Sequence, residues 1–331
     1  MEGVDLPPVQ AGRRRVPIEL LSLLVSAVLV AAGIAFAYER IDWREIGGIL
    51  LQLDAAWLVA ALAAYWAHYP LNSLRFRYVT VWLRQAASAA GIPFIFVLRL
   101  NCGASFVALA APMALVADVA KIGALRLFGN VSITEATRYT LFDRVIAVQW
   151  MSIIGLLAVP AQVAFAFPLQ TIGYQALLFG GALAAIAVLI ALPGWLALIP
   201  LAAVGRLARL FAGYGSLLTM RRTSVQLAIG ALNIVLLLTT LYCLLRAARL
   251  TADAWRLVTV VPFLQFINGL PFLYMGWGGR EIAIAVTLGA VAGLSLNEAL
   301  AISAAWGIIL LLTSLINGAF LLADWRGYRR A

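Results

Sequence analysis

Charged side chains set inside long apolar runs are the residues of this sequence with the most chemistry to offer. Asp118 and Lys121 stand three apart, so on a helix they share one face and can pair. Arg280 and Glu281 are adjacent and point to different sides, so each needs a partner elsewhere. Asp143 and Arg144 lie together near the start of a further apolar run. Ionised groups deep in a membrane cost about 2.5–3.5 kcal/mol each on insertion scales, and they mark a pathway or a pair. Two readings follow. In one, acids and bases neutralise each other and hold broken helices together. In the other, a phosphate displaces an acid and binds Lys121 and Arg280, helped by the positive N-termini of broken helices. Asn101 and Asn268 join the set as polar lining or as caps of those helices.

Other chemistries are excluded or left without residues. His68 is the only histidine, and Cys102 and Cys243 are the only cysteines, both inside apolar runs. A zinc site needs three or four nitrogen or sulfur ligands, so no metal is expected, and no cofactor is implied. The cysteines read as small buried hydrophobes, and His68 as a packed or interfacial side chain. No phosphate-binding loop of nucleotide hydrolases occurs. The pairs Ser132/Glu135 and Ser295/Glu298 have the Ser-x-x-Glu spacing of a capping box, which satisfies the free N–H groups where a helix begins.

The elements that must carry these charges are membrane helices. Of 331 residues, 64% are hydrophobic and 11% charged, against roughly 45–50% and 25% in a soluble domain. The apolar runs are continuous and about 20 residues long, the length of a helical span. The fold class expected is therefore an all-α polytopic membrane protein, with about six full spans and two broken, re-entrant helix pairs in an inverted repeat. Full spans are read near 18–38, 55–72, 141–167, 174–203, 225–245 and 299–323. The broken stretches, near 92–116 and 257–294, are interrupted by Pro, Gly and charge. Such breaks survive only where protein or a water-filled cavity covers the backbone.

The organisation expected is a basic tail over 1–17, one transmembrane domain over 18–323, and a second basic tail over 324–331. Twenty-four residues are basic, and Lys121 is the only lysine among them. With the N-terminus inside, thirteen arginines fall in inside segments, Arg75 and Arg77 among them, and five in outside loops. This predicts both termini in the cytoplasm. The segment 131–136 (VSITEA) matches 294–299 (LSLNEA), and they begin 19 and 23 residues after a proline, Pro112 and Pro271 respectively. Three spans separate the copies, so the second is upside down. The repeats are placed at about 55–167 and 225–323, with a site between them as in many transporters.

At this point the residues resemble the flippase-like transmembrane region of lysylphosphatidylglycerol synthases and their stand-alone relatives. The first motif of that family is matched by Asn101, Pro112, Asp118 and Lys121, then Asp143-Arg144; the second by Pro271, Gly276, Gly278, Gly279, Arg280 and Glu281. Val116-Ala117 replaces a glycine pair, Lys121 replaces an arginine, and Tyr274-Met275 replaces Pro-Gly. The resemblance covers about residues 15–325. It implies a translocase for a lipid or lipid-linked head group in the bacterial inner membrane. It also implies an anionic phospholipid or a polyprenyl- or hopanoid-type lipid as partner. The resemblance does not include the family's soluble aminoacyl-transferase part, so lipid aminoacylation is not expected of this chain.

Two other functions stay open. A polyprenyl-phosphate-dependent membrane glycosyltransferase would use Glu39 or Asp42 as base in the first outside loop. A non-catalytic scaffold of a lipid-synthesis complex would need none of the four charges at 118, 121, 280 and 281. Homo-oligomers or lipid-synthesis enzymes are the possible protein partners, and no basic soluble domain exists to bind nucleic acid.

Overall fold

A computed structural model of the chain describes residues 41–83, 92–110, 114–164, 169–196, 211, 213–252, 254–269, 284–285, 287–289 and 292–328, together with Val28. Among these residues no strand occurs. In chain order the helices are α1 (Trp43–Leu51), α2 (Ala55–Leu83), α3 (Phe94–Ala110), α4 (Ala114–Phe128) and α5 (Ile133–Leu157). They continue with α6 (Val159–Ala164), α7 (Leu169–Leu196), α8 (Met220–Ala247), α9 (Ala254–Gly269) and α10 (Leu296–Tyr328). The protein is an all-α membrane protein. Its apolar side chains are turned outward as well as inward: Leu157, Leu177 and Leu51 are each more than two-thirds exposed. A lipid-facing surface tolerates what water would not.

By length and composition, α5 with α6, α8, and α10 up to Ala319 can each cross a membrane, and α1 with α2 makes a fourth candidate bent by 88°. The bend has a local cause. The Asp42 carboxylate caps α1 by accepting from the Arg44 and Glu45 amides, and Asp54 caps α2 by accepting from Ala56 and Trp57. The span expected at 18–38 lies outside the described residues. One boundary is corrected. The second span, expected to stop near residue 72, continues as α2 to Leu83. Residues 71–83 hold no Gly, Pro or Asp to stop it. Arg75 and Arg77 are therefore helical, and Arg75 is buried rather than part of a cytoplasmic loop.

The antiparallel pair of α2 and α8 forms the spine. The Asp54 amide donates to the Ala247 carbonyl at one end. The Asn233 side chain donates to Asn72 at 2.7 Å in the middle. Two cation–π contacts close the ends: Arg246 lies over the Trp57 ring and Arg222 over the Trp82 ring, each at 5.7 Å. The two arginines are separated on α8 by about 36 Å at 1.5 Å per residue. That matches the hydrocarbon core plus part of both interfaces, where tryptophan belts sit.

The other helices pack around this spine in a regular way. The helix α3 touches α2 and α10, and α9 touches α8 and α5. The helix α5 touches both α2 and α8, and so does α10. Exchanging α2 with α8, α3 with α9 and α5 with α10 maps each of these contacts onto another. The two Ser-x-x-Glu pairs, matched in sequence, open the exchanged helices α5 and α10. In each, the serine hydroxyl accepts from the glutamate amide at 3.2 Å and the glutamate accepts from the serine amide. Both are capping boxes.

Three glycines set the closest crossings. A Cβ on Gly155 would meet the Phe179 ring of α7 at 2.3 Å, one on Gly230 the Trp150 side chain at 3.2 Å, and one on Gly318 the Phe106 ring at 2.4 Å. Small residues at such crossings let helices without a hydrophobic drive approach closely. Gly155→Leu is expected to force α5 and α7 apart and cost about 1–3 kcal/mol. A lowered thermal-unfolding midpoint in detergent is the measurement that checks it.

Candidate functional site

The charges meet because a short connection levels two helices. Gly129 follows α4, Asn130 takes a left-handed φ of 51°, and Ser132 caps α5. Asparagine tolerates that conformation better than most residues. Asp118 lies ten residues before the end of α4 and Asp143 ten residues after the start of α5. Both are thus about 15 Å from the turn, and Asp143 lies in a helical run long and apolar enough to cross a membrane.

Two ion pairs result, with different surroundings. Arg75 of α2 holds Asp143 through two bonds, Nε to Oδ1 at 2.8 Å and Nη2 to Oδ2 at 3.2 Å. Both side chains are 10% exposed. Arg144 holds Asp118 of α4, with Nη2 and Nε 3.0–3.2 Å from the carboxylate oxygens. Here the arginine side chain is 39% exposed and the acid 16%. The i,i+3 pairing expected between Asp118 and Lys121 is replaced by this longer-range pair, because the level hairpin and the planar guanidinium offer Asp118 two donors at once.

Lys121 is left over. Its ammonium lies 5.9 Å from the centre of the Phe76 ring and within electrostatic reach of Asp143, Arg144, Asp118 and Arg75. Among the described residues it makes neither an ion pair nor a hydrogen bond. The five charges thus comprise three cations and two carboxylates. The apolar side of the site is a cluster that includes Phe76, Leu125 and Tyr139.

Asn101 does not cap a helix. It is the eighth residue of α3, is buried, and donates from Nδ2 to the Ser73 hydroxyl at 2.9 Å. Below it the Tyr69 hydroxyl and Ser105 Oγ are 2.7 Å apart, and Ser105 Oγ is 3.1 Å from Ser314 Oγ on α10. Asn268 belongs to α9, but its side chain lies outside the described residues, as do Arg280 and Glu281. The structure therefore brings together Asp118, Lys121, Asp143, Arg144 and, one step away, Asn101.

Arg75 is the site residue that hydropathy does not single out, because the apolar run ends near residue 72 while the helix continues to Leu83. The unbroken helical pattern of 71–83 was the signal that could have found it. Ser73, Tyr69 and Ser105 carry no such signal, since single hydroxyls in apolar runs have no diagnostic spacing.

His68 packs between the Tyr65 and Tyr69 rings, with centroids at 4.5 and 4.3 Å. Both cysteines are free and buried. Among the described residues no cluster of His, Cys, Asp and Glu could hold a metal ion. Asp42, the described member of the two glycosyltransferase candidates, spends its carboxylate on the cap of α1. Glu39 lies outside the described residues.

No curated protein matches the chain. The family described as the lysylphosphatidylglycerol synthase TM region matches residues 20–318, a stretch that contains every helix of the spine and the whole charged centre. A match over that much of the sequence settles membership: this chain belongs to the lysylphosphatidylglycerol synthase transmembrane-region family.

Proposed function

We propose that the protein is a translocase for a lipid or lipid-linked head group, working in the bacterial inner membrane with both termini in the cytoplasm. The observation that carries this reading is the excess of cation at the charged centre. Among the described residues three basic groups face two carboxylates, both carboxylates are held by arginine, and Lys121, the only lysine of the chain, makes no ion pair. Such a charge in a low-dielectric setting is costly unless an anion completes it.

An anionic head group supplies that charge. Its phosphate takes the Lys121 ammonium and competes with Asp118 for Arg144, whose partial exposure leaves it reachable. Arg75 and Asp143 hold the floor of the site. The exchangeable packing of α2, α3 and α5 with α8, α9 and α10 supports a pair of inverted copies, and a site between such copies is the transporter arrangement. Rocking of one copy against the other would present the head group to each leaflet in turn.

The test is a flipping assay in proteoliposomes with a fluorescent phosphatidylglycerol, combined with mass spectrometry of the lipids that co-purify. Wild type is expected to enrich an anionic species and to move the probe. Lys121→Ala is expected to lose both, with at least a tenfold drop in rate. Equal rates and an unchanged lipid profile would overturn the proposal and favour a scaffold.

A further inference from the structure

Beneath the charged centre a seam of polar side chains runs between α2, α3 and α10. Ser73 meets Asn101; Tyr69, Ser105 and Ser314 form a chain of hydroxyls. The Trp66 indole donates to Asn317 Oδ1 at 3.1 Å. Along α2 this seam starts two residues from Arg75 and ends at Trp66, a rise of about 13 Å from Arg75. It leads away from the Trp82 end of the spine and towards the Trp57 end. Nothing in a lipid-facing helix calls for such a column, and here it lies inside the protein.

We infer that this seam is the closed half of the head-group route, with Tyr69, Ser105 and Ser314 as its gate. This rests on the reading of the charged centre as a head-group site. Three observations support it. First, the gate joins α2 and α3 to α10, helices that fall in different sequence repeats, about 55–167 and 225–323, so relative motion of two such copies must break it. Second, two buried polar atoms of α10 are in no hydrogen bond among the described residues: Asn317 Nδ2, in the side chain that takes the Trp66 indole and lies within electrostatic reach of Tyr69, and Thr313 Oγ1 four residues before it, both in residues 0% exposed. A passing head group, rich in acceptors, would satisfy them. Third, Pro70 lies inside α2 between Trp66 and Ser73. It removes one helical hydrogen bond there, which makes α2 easiest to bend at the gate. Close packing of Gly318 on Phe106 seals α3 against α10 one turn further on.

The experiment uses the full chain in proteoliposomes, with Cys102→Ala and Cys243→Ala to remove native thiols. Ser105→Cys and Ser314→Cys are then introduced together. Their hydroxyl oxygens are 3.1 Å apart, within reach of a disulfide once the longer C–S bonds are allowed for. Oxidation is expected to cross-link them within one molecule and slow probe movement at least tenfold. A reductant should restore it, which shows that the fold survived. Lipid captured at Lys121 should co-purify with the cross-linked form as with the reduced form. Failure to cross-link, or a cross-linked protein that moves lipid at the reduced rate, would overturn the gate. Failure of the head-group site would show separately, as a lipid profile that Lys121→Ala leaves unchanged.

Discussion

Asp143→Ala is expected to be the most damaging single substitution in this protein. It removes the partner of Arg75 and leaves a guanidinium about nine-tenths buried with no ion pair among the described residues. Breaking a buried pair in this way costs about 3–5 kcal/mol, a large fraction of the 5–15 kcal/mol that stabilises a typical domain. The remaining carboxylate, Asp118, is already held by Arg144. The double change Arg75→Met with Asp143→Leu should recover most of the loss, because replacing both partners by apolar groups removes the desolvation penalty along with the attraction. Unfolding in mixed detergent micelles, followed for both variants, checks the prediction. If the double variant is as unstable as the single one, the pair contributes by geometry that hydrophobic packing cannot replace.

Asp118→Asn is expected to act in the opposite direction from Lys121→Ala. It frees Arg144 from its carboxylate and raises the excess of cation at the centre from one to two. Hydrogen bonds to charged groups contribute about 1.5–3 kcal/mol, so an anionic head group that no longer competes with Asp118 should bind about tenfold to a hundredfold more tightly. Tight binding does not mean faster movement. A head group held equally well and too strongly is released slowly, so the flipping rate should fall while co-purified anionic lipid rises. Lipid-to-protein ratios by mass spectrometry and rates in proteoliposomes separate the two. A fall in both would show that Asp118 serves the fold of the hairpin rather than the exchange of partners.

The sequence made the class of fold and part of this centre legible, for identifiable reasons. Composition and run length require a membrane protein, because no soluble surface could be assembled from so few charges. The Ser-x-x-Glu pairs announced the starts of α5 and α10, since a capping box is satisfied within four residues and needs no tertiary context. Asp118, Lys121, Asp143 and Arg144 stood out because charge in an apolar run is rare. What could not be read was who pairs with whom. The i,i+3 rule joins neighbours on one helix, but the hairpin at Gly129 to Ser132 sets two helices level and lets Arg144 take Asp118 across them. The equal spacing of Asp118 and Asp143 from that turn was present in the sequence, and it acquires meaning only once both helix ends are known. Arg75 was hidden by a rule of a different kind. Positive charge after an apolar run is assigned to a loop, and the helix that carries Arg75 inward runs on past the point where hydropathy falls.

The spine has a consequence for the surroundings in which the protein works. Arg222 and Arg246 are fastened to Trp82 and Trp57 at opposite ends of one antiparallel helix pair. Neither end can slide without pulling a guanidinium off its ring or into hydrocarbon. The pair therefore has a fixed natural thickness, and hydrophobic mismatch falls on the bilayer or on the tilt of the spine. Acyl-chain length then becomes a variable of the machine. Lipids too short or too long tilt α2 and α8 together, and with them the level at which Arg75 meets its carboxylate.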